Sequence, residues 1–358
     1  ADLGVASAKC TIERSGIDPA RIDEVIFGNA RQAGVGPNVA RQIAIRSGLR
    51  HEVPAYTVNQ ACGSGLRAIM NAADQIRLGQ AAVVLAGGTE SMSNTPYLLP
   101  RARWGTKMGN QELVDGMYRD GFMCPLADEM MGATAETLAD RYEISREEQD
   151  KFAVESQKKA ARAYAEDRFA GEIVPLEKLK QDEHPRFDSD LGSLAKLPPV
   201  FRKNGTVHAG NSSGVTDGAS SMLVASAAAA KKYGLTPMAR IVGYAQAGVD
   251  PKIMGIGPVP ATKKLLSDVG MQLGDIDLIE LNEAFAAQVI ACDRELHLDR
   301  DKLNVHGGAI ALGHPIGCTG ARITTTLLHA LKSHDKSIGL ATLCISGGMG
   351  LSMIVERV

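Results

Sequence analysis

Four short segments of this 358-residue chain, three of them glycine-rich, carry the side chains that could do chemistry. Cys62 stands in Ala61-Cys-Gly-Ser-Gly-Leu66, directly after a short apolar strand and at the start of a helix. A thiol there faces the positive end of the helix dipole and unpaired backbone N–H groups, which are expected to lower its pKa and make it nucleophilic. Gly63 and Gly65 would let a substrate approach the backbone. The plain alternative is a buried structural cysteine in a turn. Gly63-x-Gly65-x-x-Ala68 also satisfies a dinucleotide-loop pattern. That reading needs an acid at the end of the next strand, and the strand over 82–86 is expected to stop at Gly87-Gly88, with Glu90 the nearest acid.

Partners for the thiol lie in the last hundred residues. His314 sits between Gly313 and Pro315 in Gly307-Gly-Ala-Ile-Ala-Leu-Gly-His-Pro-Ile-Gly-Cys-Thr-Gly320, just ahead of a helix. Cys344 follows the strand expected over 337–343 and enters Ile345-Ser-Gly-Gly-Met-Gly350. Asn282 follows the strand expected over 276–281, in Asn282-Glu-Ala-Phe-Ala-Ala-Gln288. Strand ends and helix-entry turns are where ligands and catalytic groups gather in open α/β sheets.

The elements that must position these residues repeat. Ser15-Gly16, Ile22-Asp23 and Val25-Ile26 match Val269-Gly270, Ile276-Asp277 and Ile279-Glu280 at an offset of 254 (270 − 16), and Gly65 and Arg67 match Gly320 and Arg322 at 255 (320 − 65). Two similar α/β halves follow, packed about a pseudo-twofold axis so that equivalent loops converge. In the first half the pattern predicts a helix over 3–15, strands at 22–27, 55–58 and 82–86, and helices at 38–47 and 66–78, a βαβ text. The domain reading is a first half of 1–92 plus 209–236, an inserted loop or lid domain of 93–208 holding Trp104 and a charged helix over 146–167, and a second half of 237–358. The alanine-rich run 219–232 reads as helix.

Composition removes several classes. Lys+Arg number 39 against 41 Asp+Glu, a net charge of −2, so a nucleic-acid binder is not expected. No apolar run approaches the length of a bilayer, which excludes membrane insertion by a helix. Six cysteines without a CxxC pair or zinc spacing fit neither a disulfide scaffold nor a metal site; a reducing, cytoplasmic setting fits them best.

On these motifs the chain resembles the thiolases, acyltransferases that make or cleave 3-oxoacyl-CoA thioesters. The resemblance rests on Asn59-Gln-Ala-Cys-Gly-Ser-Gly, Asn282-Glu-Ala-Phe-Ala-Ala-Gln, Gly308-Ala-Ile-Ala-Leu-Gly-His-Pro-Ile-Gly and Cys344-Ile-Ser-Gly-Gly-Met-Gly, and spans essentially the whole length. It implies duplicated βαβαβ halves in a five-layered α-β-α-β-α core with an inserted loop domain. Members of the family usually begin with an earlier strand of the first sheet, and the resemblance implies that this strand is missing from the sequence given. It also implies that Cys62 carries the acyl group, His314 activates it, and Cys344 is the second acid/base. Asn282 would hold a water that forms an oxyanion hole with His314, and the backbone N–H groups of Cys62 and Ser346 would form another. Ser346 stands where a glycine is usual. Ser213 would touch the pantetheine arm of coenzyme A, and Met254 and Phe285 would line the acyl pocket. Met130 stands where acetoacetyl-specific members commonly carry His. Arg202 and Lys203 are candidates for the coenzyme A phosphates. No cofactor or metal is implied, coenzyme A being a substrate, and a homodimer or homotetramer is. Ketoacyl synthases resemble the pattern less, since they generally lack a second catalytic cysteine. The reading from another class is a non-catalytic thiolase-like scaffold or acyl-CoA-binding subunit.

Overall fold

A computed structural model describes residues 1–358. The first half runs α1 (Asp2–Ser15), β1 (Glu24–Gly28), α2 (Val39–Arg46), β2 (Ala55–Val58), α3 (Ser64–Arg77) and β3 (Val83–Ser91). Two small hairpins follow, β4 (Tyr97–Leu98) with β5 (Val114–Asp115) and β6 (Met123–Cys124) with β7 (Glu129–Met130), then α4 (Met131–Arg141), α5 (Arg146–Ala165) and α6 (Leu191–Ala195). The chain returns to regular sheet with β8 (Asp217–Ala225), α7 (Ala227–Tyr233) and β9 (Ala239–Gly248). It closes with α8 (Pro258–Val269), β10 (Leu278–Leu281), α9 (Ala286–Leu296), α10 (Ala309–Leu312), α11 (Thr319–Ser333), β11 (Ile338–Ile345) and β12 (Met349–Arg357).

Two four-stranded sheets result, in the orders β2-β1-β3-β8 and β10-β11-β12-β9. Their inner strands β1, β3, β11 and β12, with β10, are buried on both faces, and side-chain alternation sends neighbours to different layers. Val25, Phe27 and Leu85 face outward onto Val5 and Ile43 of α1 and α2. Ile26, Val84 and Ala86 face inward onto Ile69 of α3 and Leu327 of α11, which in turn meet Leu343 and Met353 of the second sheet. Beyond that sheet lie Leu265 of α8 and Val289 of α9, packed with Leu340 and Ile354. Helix, sheet, helix pair, sheet and helix give the five layers.

The internal repeat is carried down to single bonds. Gly16 and Gly270 both end their helices in the left-handed region, with φ of 67° and 70°. Asp23 Oδ2 accepts from the N–H groups of Ala82 and Val83, and Asp277 Oδ2 accepts from those of Ser337 and Ile338, so each carboxylate ties one strand start to its neighbour. One asymmetry stands out: β12 is flanked by β9, which precedes α8, whereas its counterpart β8 has no strand beyond it.

Two elements differ from the sequence expectation. β3 does not stop at Gly87-Gly88 but continues to Ser91, paired antiparallel with β8 throughout. The glycines serve close approach: a Cβ on Gly87 would lie 2.3 Å from Ser220 O, and one on Gly88 would lie 2.2 Å from Gly317 O. Residues 219–225 are strand, not helix, because they complete the ladder along β3; only Ala227–Tyr233 is helical, started by Ser226, whose Oγ accepts from Ala229 N–H at 3.1 Å. Pairing overrides alanine's helix propensity there.

Candidate active site

The turn around Cys62 is fastened by its own motif residues. Ser64 Oγ accepts from Gln60 N–H at 2.9 Å and donates to Ala61 O at 2.6 Å, while Asn59 Oδ1 accepts from Ala61 N–H at 3.0 Å. These bonds hold Ala61 at φ 46°, a left-handed conformation that costs a residue with a Cβ on the order of 1 kcal/mol. The strained corner lifts Cys62 to the position just before the Gly63 cap of α3. A Cβ on Gly63 would lie 2.5 Å from Ile345 Cδ1 of the other half, so a larger residue there has to displace that side-chain end.

Equivalent turns of the two halves meet through glycine. A Cβ on Gly320 would lie 2.2 Å from Leu66 N, and one on Gly65 would lie 2.8 Å from Ala321 N, so the first turns of α3 and α11 touch backbone to backbone. Cys62 packs on the Ala30–Met92–Ile316 cluster, and Ile316 is two residues from His314. The sequence expectation that these distant segments converge is met at this level.

His314 is 6% exposed, and its Nδ1 lies 2.6 Å from Thr319 Oγ1. The Thr319 hydroxyl proton is already used, donated to Pro315 O at 3.0 Å. Nδ1–H must therefore be the donor to Thr319, which leaves the lone pair on Nε2. Burial, reinforced by the Arg322 and Arg31 guanidinium groups, pushes the imidazole down to about 3. The ring is a neutral base with its acceptor nitrogen fixed.

The sulfur does not behave as a helix N-terminus alone would dictate. Although Cys62 keeps some surface, burial pushes its thiol up, and this outweighs the opposing effects of the Ser346 N–H, the Arg31 guanidinium and its own N–H. The expected lowered pKa is corrected accordingly: desolvation of the thiolate outweighs the N–H groups and the guanidinium that favour it. Thiol and imidazole rest as a neutral pair.

β11 extends through Ile345, so Cys344 lies inside the strand end and not after it. It is 1% exposed and packs with Met254, Ala284 and Phe285. Burial drives its thiol well above the ordinary range, and the nearby Cys62 sulfur adds to this. Ser346, in place of the usual glycine, has no positive φ; that conformation is taken by Gly347 (85°) and Gly348 (86°). A Cβ is therefore tolerated, and the Ser346 N–H is directed at the Cys62 sulfur. Asn282 is 1% exposed, with both Oδ1 and Nδ2 lacking a protein partner. A buried amide with both ends free is a place for a bound water.

Of the proposed substrate-contacting residues, Met254 and Phe285 belong to the Cys344 cluster, with Phe201 edge-on to Phe285 at 6.0 Å. Ser213 adjoins them, its N–H donating to Ala284 O at 3.0 Å. Met130 lies on the β6–β7 hairpin opposite Met123; its neighbour Met131 makes the contact with the Cys344 cluster. Arg202 is engaged by Asp140 and Thr137. Sequence reasoning missed Met117 and Phe122, which flank the same cluster as Cys62 from the inserted segment. It also missed Arg31, 7% exposed, whose Nη1 donates to Asp120 O at 3.1 Å while Nε lacks a partner. The only sequence signal for Arg31 was a cation three residues past the end of a strand.

Behind His314, Arg322 of α11 points its guanidinium toward Glu280 at 3.6 Å without a hydrogen bond. Burial outweighs this attraction and raises Glu280 to about 8, and Glu172 to about 7. A carboxyl raised on folding supplies stability that is complete below the unfolded value and is lost as pH climbs through the folded one. Glu280→Gln removes that loss. Relative to the parent, the variant gains up to about 1.4 kcal/mol per pH unit between pH 5 and 8. Melting curves across that range check it, and parallel curves would refute it.

Four turns from two halves around two thiols and an imidazole define an acyl-transfer site on a duplicated α/β fold. The chain belongs to the thiolase family: residues 1–228 match the thiolase N-terminal domain and residues 235–357 the thiolase C-terminal domain. It is 51% identical to the acetyl-CoA acetyltransferase of Escherichia coli (strain K12) and 50% identical to that of Pseudomonas aeruginosa, in both cases over 99% of this chain and 93% of the relative. Among solved structures, human mitochondrial 3-ketoacyl-CoA thiolase superposes with a TM-score of 0.97 at 44% identity, covering 100% of this chain and 92% of that one. The acetyl-CoA acetyltransferase of Bacillus anthracis gives 0.95 at 46%, covering 99% and 92%.

Proposed function

We propose that the protein is an acetyl-CoA C-acyltransferase that condenses acyl-CoA with acetyl-CoA to 3-oxoacyl-CoA, and reverses this by thiolysis, through an acyl group on Cys62. The observation that carries the reading is the meeting of the two halves at Cys62, which packs with Ile316, two residues from a His314 whose Nδ1 is tied to Thr319 so that Nε2 is free to accept a proton. Similarity to a human thiolase solved in complex with CoA supports coenzyme A as the substrate carrier.

In the synthetic direction His314 Nε2 takes the Cys62 proton as the sulfur attacks the acetyl-CoA thioester. The departing coenzyme A thiolate takes the Cys344 proton and leaves as thiol, so acetyl-Cys62, a Cys344 thiolate and imidazolium remain. A second acetyl-CoA gives its α-proton to Cys344; the resulting carbanion attacks acetyl-Cys62, and the expelled Cys62 sulfur recovers its proton from His314. All charges return to their starting state. The N–H groups of Cys62 and Ser346, and a water on Asn282 acting with His314, face the two oxyanions that form along this path. No cofactor or metal is required by these steps. Six free thiols support a cytoplasmic setting, and exposed Trp104 and Met108 on the segment joining β4 to β5 support self-association as a homodimer or homotetramer.

Mass spectrometry after incubation with acetyl-CoA tests the reading. One acetyl group appears on the peptide holding Cys62 and disappears on adding free coenzyme A. A protein that binds acetyl-CoA without forming the adduct is the scaffold instead.

A further inference from the structure

Glu90 is an ionisable side chain that the acyl-transfer scheme does not use, and it is 1% exposed near the end of β3. A carboxylate at that depth is costly unless it is filled with donors. Here four N–H groups fill it. Oε1 accepts from Asn29 Nδ2 at 2.8 Å and from Arg31 N–H at 3.0 Å; Oε2 accepts from Ala30 N–H at 2.9 Å and from Gly317 N–H at 2.8 Å. Burial raises its pKa, and the three backbone N–H groups and the Arg31 guanidinium oppose the rise.

The donors come from two separate turns. Residues 29–31 support the nucleophile: Cys62 packs on the cluster containing Ala30, and Asn59, at the base of the Cys62 turn, donates from Nδ2 to Ala30 O at 3.3 Å. Gly317 belongs to the turn of the other half that starts at Gly313 and holds His314. The Gly317 carbonyl of that turn is hemmed in by glycine backbone: added Cβ atoms on Gly28, Gly65 and Gly88 would lie 2.7, 3.0 and 2.2 Å from Gly317 O. The glycines admit the turn, but no polar group among them takes its N–H; Glu90 does.

We propose that Glu90 is a positioning residue of the acyl-transfer reaction, its carboxylate bonding the Cys62-supporting turn of one half and the His314 turn of the other so that sulfur and imidazole stay in register. Each oxygen binds two donors, so the site has no room for a donor of its own. Glu90→Gln keeps the size but places an NH2 against two N–H groups and must release one pair. Releasing the Oε2 pair frees Gly317 directly. Releasing the Oε1 pair loosens residues 29 and 31 beneath Cys62. A displacement of about 1 Å between reacting groups costs on the order of 10² in rate.

The test compares Glu90→Gln and Glu90→Asp with a control of matched melting temperature, Ile12→Ala, whose side chain packs α1 on the outer face of the first sheet, away from the site. For Glu90→Gln, kcat falls roughly 10²-fold with KM for acetoacetyl-CoA changed by less than about threefold, and alkylation of Cys62 by iodoacetamide slows along with kcat. Glu90→Asp, which keeps four acceptor sites on a shorter arm, recovers part of both. The control keeps kcat per folded molecule. Wild-type kcat in Glu90→Gln overturns the proposal, as does a loss that the control reproduces, or unchanged Cys62 alkylation beside a lowered kcat. Should Glu90→Gln not fold, the same comparison is made between Glu90→Asp and the control, with an intermediate loss expected. The inference rests on Cys62 chemistry, and the wild-type acetyl adduct separates the two: without it the function itself falls, whereas with it only the role of Glu90 is at stake.

Discussion

Cys62→Ala lowers acetoacetyl-CoA thiolysis on the order of 10⁴-fold or more, because the reaction has no second route to a covalent intermediate. The fold stays intact. The residue keeps some surface, and the turn that presents it is held by Asn59 and Ser64, not by the sulfur. A circular dichroism spectrum and melting temperature close to the parent's accompany the loss, and turnover that survives in the variant would show the acyl group moving directly between two coenzymes. The same residue carries a pH expectation. With the imidazole lowered to about 3 and the Cys62 thiol raised by burial, the resting pair is neutral across the working range. The acylation rate therefore shows no acid limb near the ordinary histidine value of about 6.5, and Cys62 contributes no thiolate absorbance at pH 7 when wild type and Cys62→Ala are subtracted. An imidazolium–thiolate pair, as in proteins whose cysteine pKa is depressed, would produce both signals.

The chemistry of the site was more legible in the sequence than its electrostatics. Cys62, His314 and Cys344 stand out because glycine-rich turns have few structural reasons to hold such side chains, Asn282 because it ends a strand, and the offset of 254 to 255 residues says which turns are equivalent. Where the text is ambiguous the reading fails in a specific way. Gly87-Gly88 can mean a turn or a strand pressed against foreign backbone, and only the position of Gly317, 229 residues on (317 − 88), decides between them. The run 219–232 is alanine-rich and locally helical, but β3 needs an antiparallel neighbour and takes 217–225 for it. The direction of the Cys62 shift depends on how much protein the two halves and the inserted segment pile around one sulfur, a quantity no local window contains. Ser346 illustrates the reverse case: the departure from glycine looks costly in sequence, and is harmless because the two following glycines absorb the left-handed backbone. Glu90 appeared in the sequence only as the acid nearest a failed dinucleotide pattern. Its partners lie at 29–31 and 317, so their convergence belongs to the fold.

Cys344→Ala separates the two halves of the reaction. Acetyl transfer from acetyl-CoA to Cys62 needs a base on the nucleophile, which His314 supplies, and a leaving thiol; coenzyme A leaves as a thiolate, a weakly basic anion, and so departs without a proton donor at a moderate penalty. The acetyl adduct on Cys62 therefore still forms. Condensation is different, since it requires removal of a carbon-bound proton, and a base lost from that step costs on the order of 10²–10⁴ in rate. The raised pKa of Cys344 makes its thiolate a strong base, and the proton transfers give an order to events: resting Cys344 is a thiol, and its thiolate arises when it hands its proton to the coenzyme A that departs during acylation of Cys62. Proton abstraction is thus favoured after acylation and disfavoured before it, which protects free acetyl-CoA from futile exchange. In wild type, deuterium from solvent enters the methyl group of acetyl-CoA only once the enzyme is acetylated; in Cys344→Ala the adduct accumulates and no deuterium enters. Cys344→Ser fails to rescue, because a hydroxyl there is far too weak an acid to be a thiolate's substitute. Deuterium uptake that persists in Cys344→Ala would transfer the base role to His314 and leave Cys344 as packing against Met254 and Phe285.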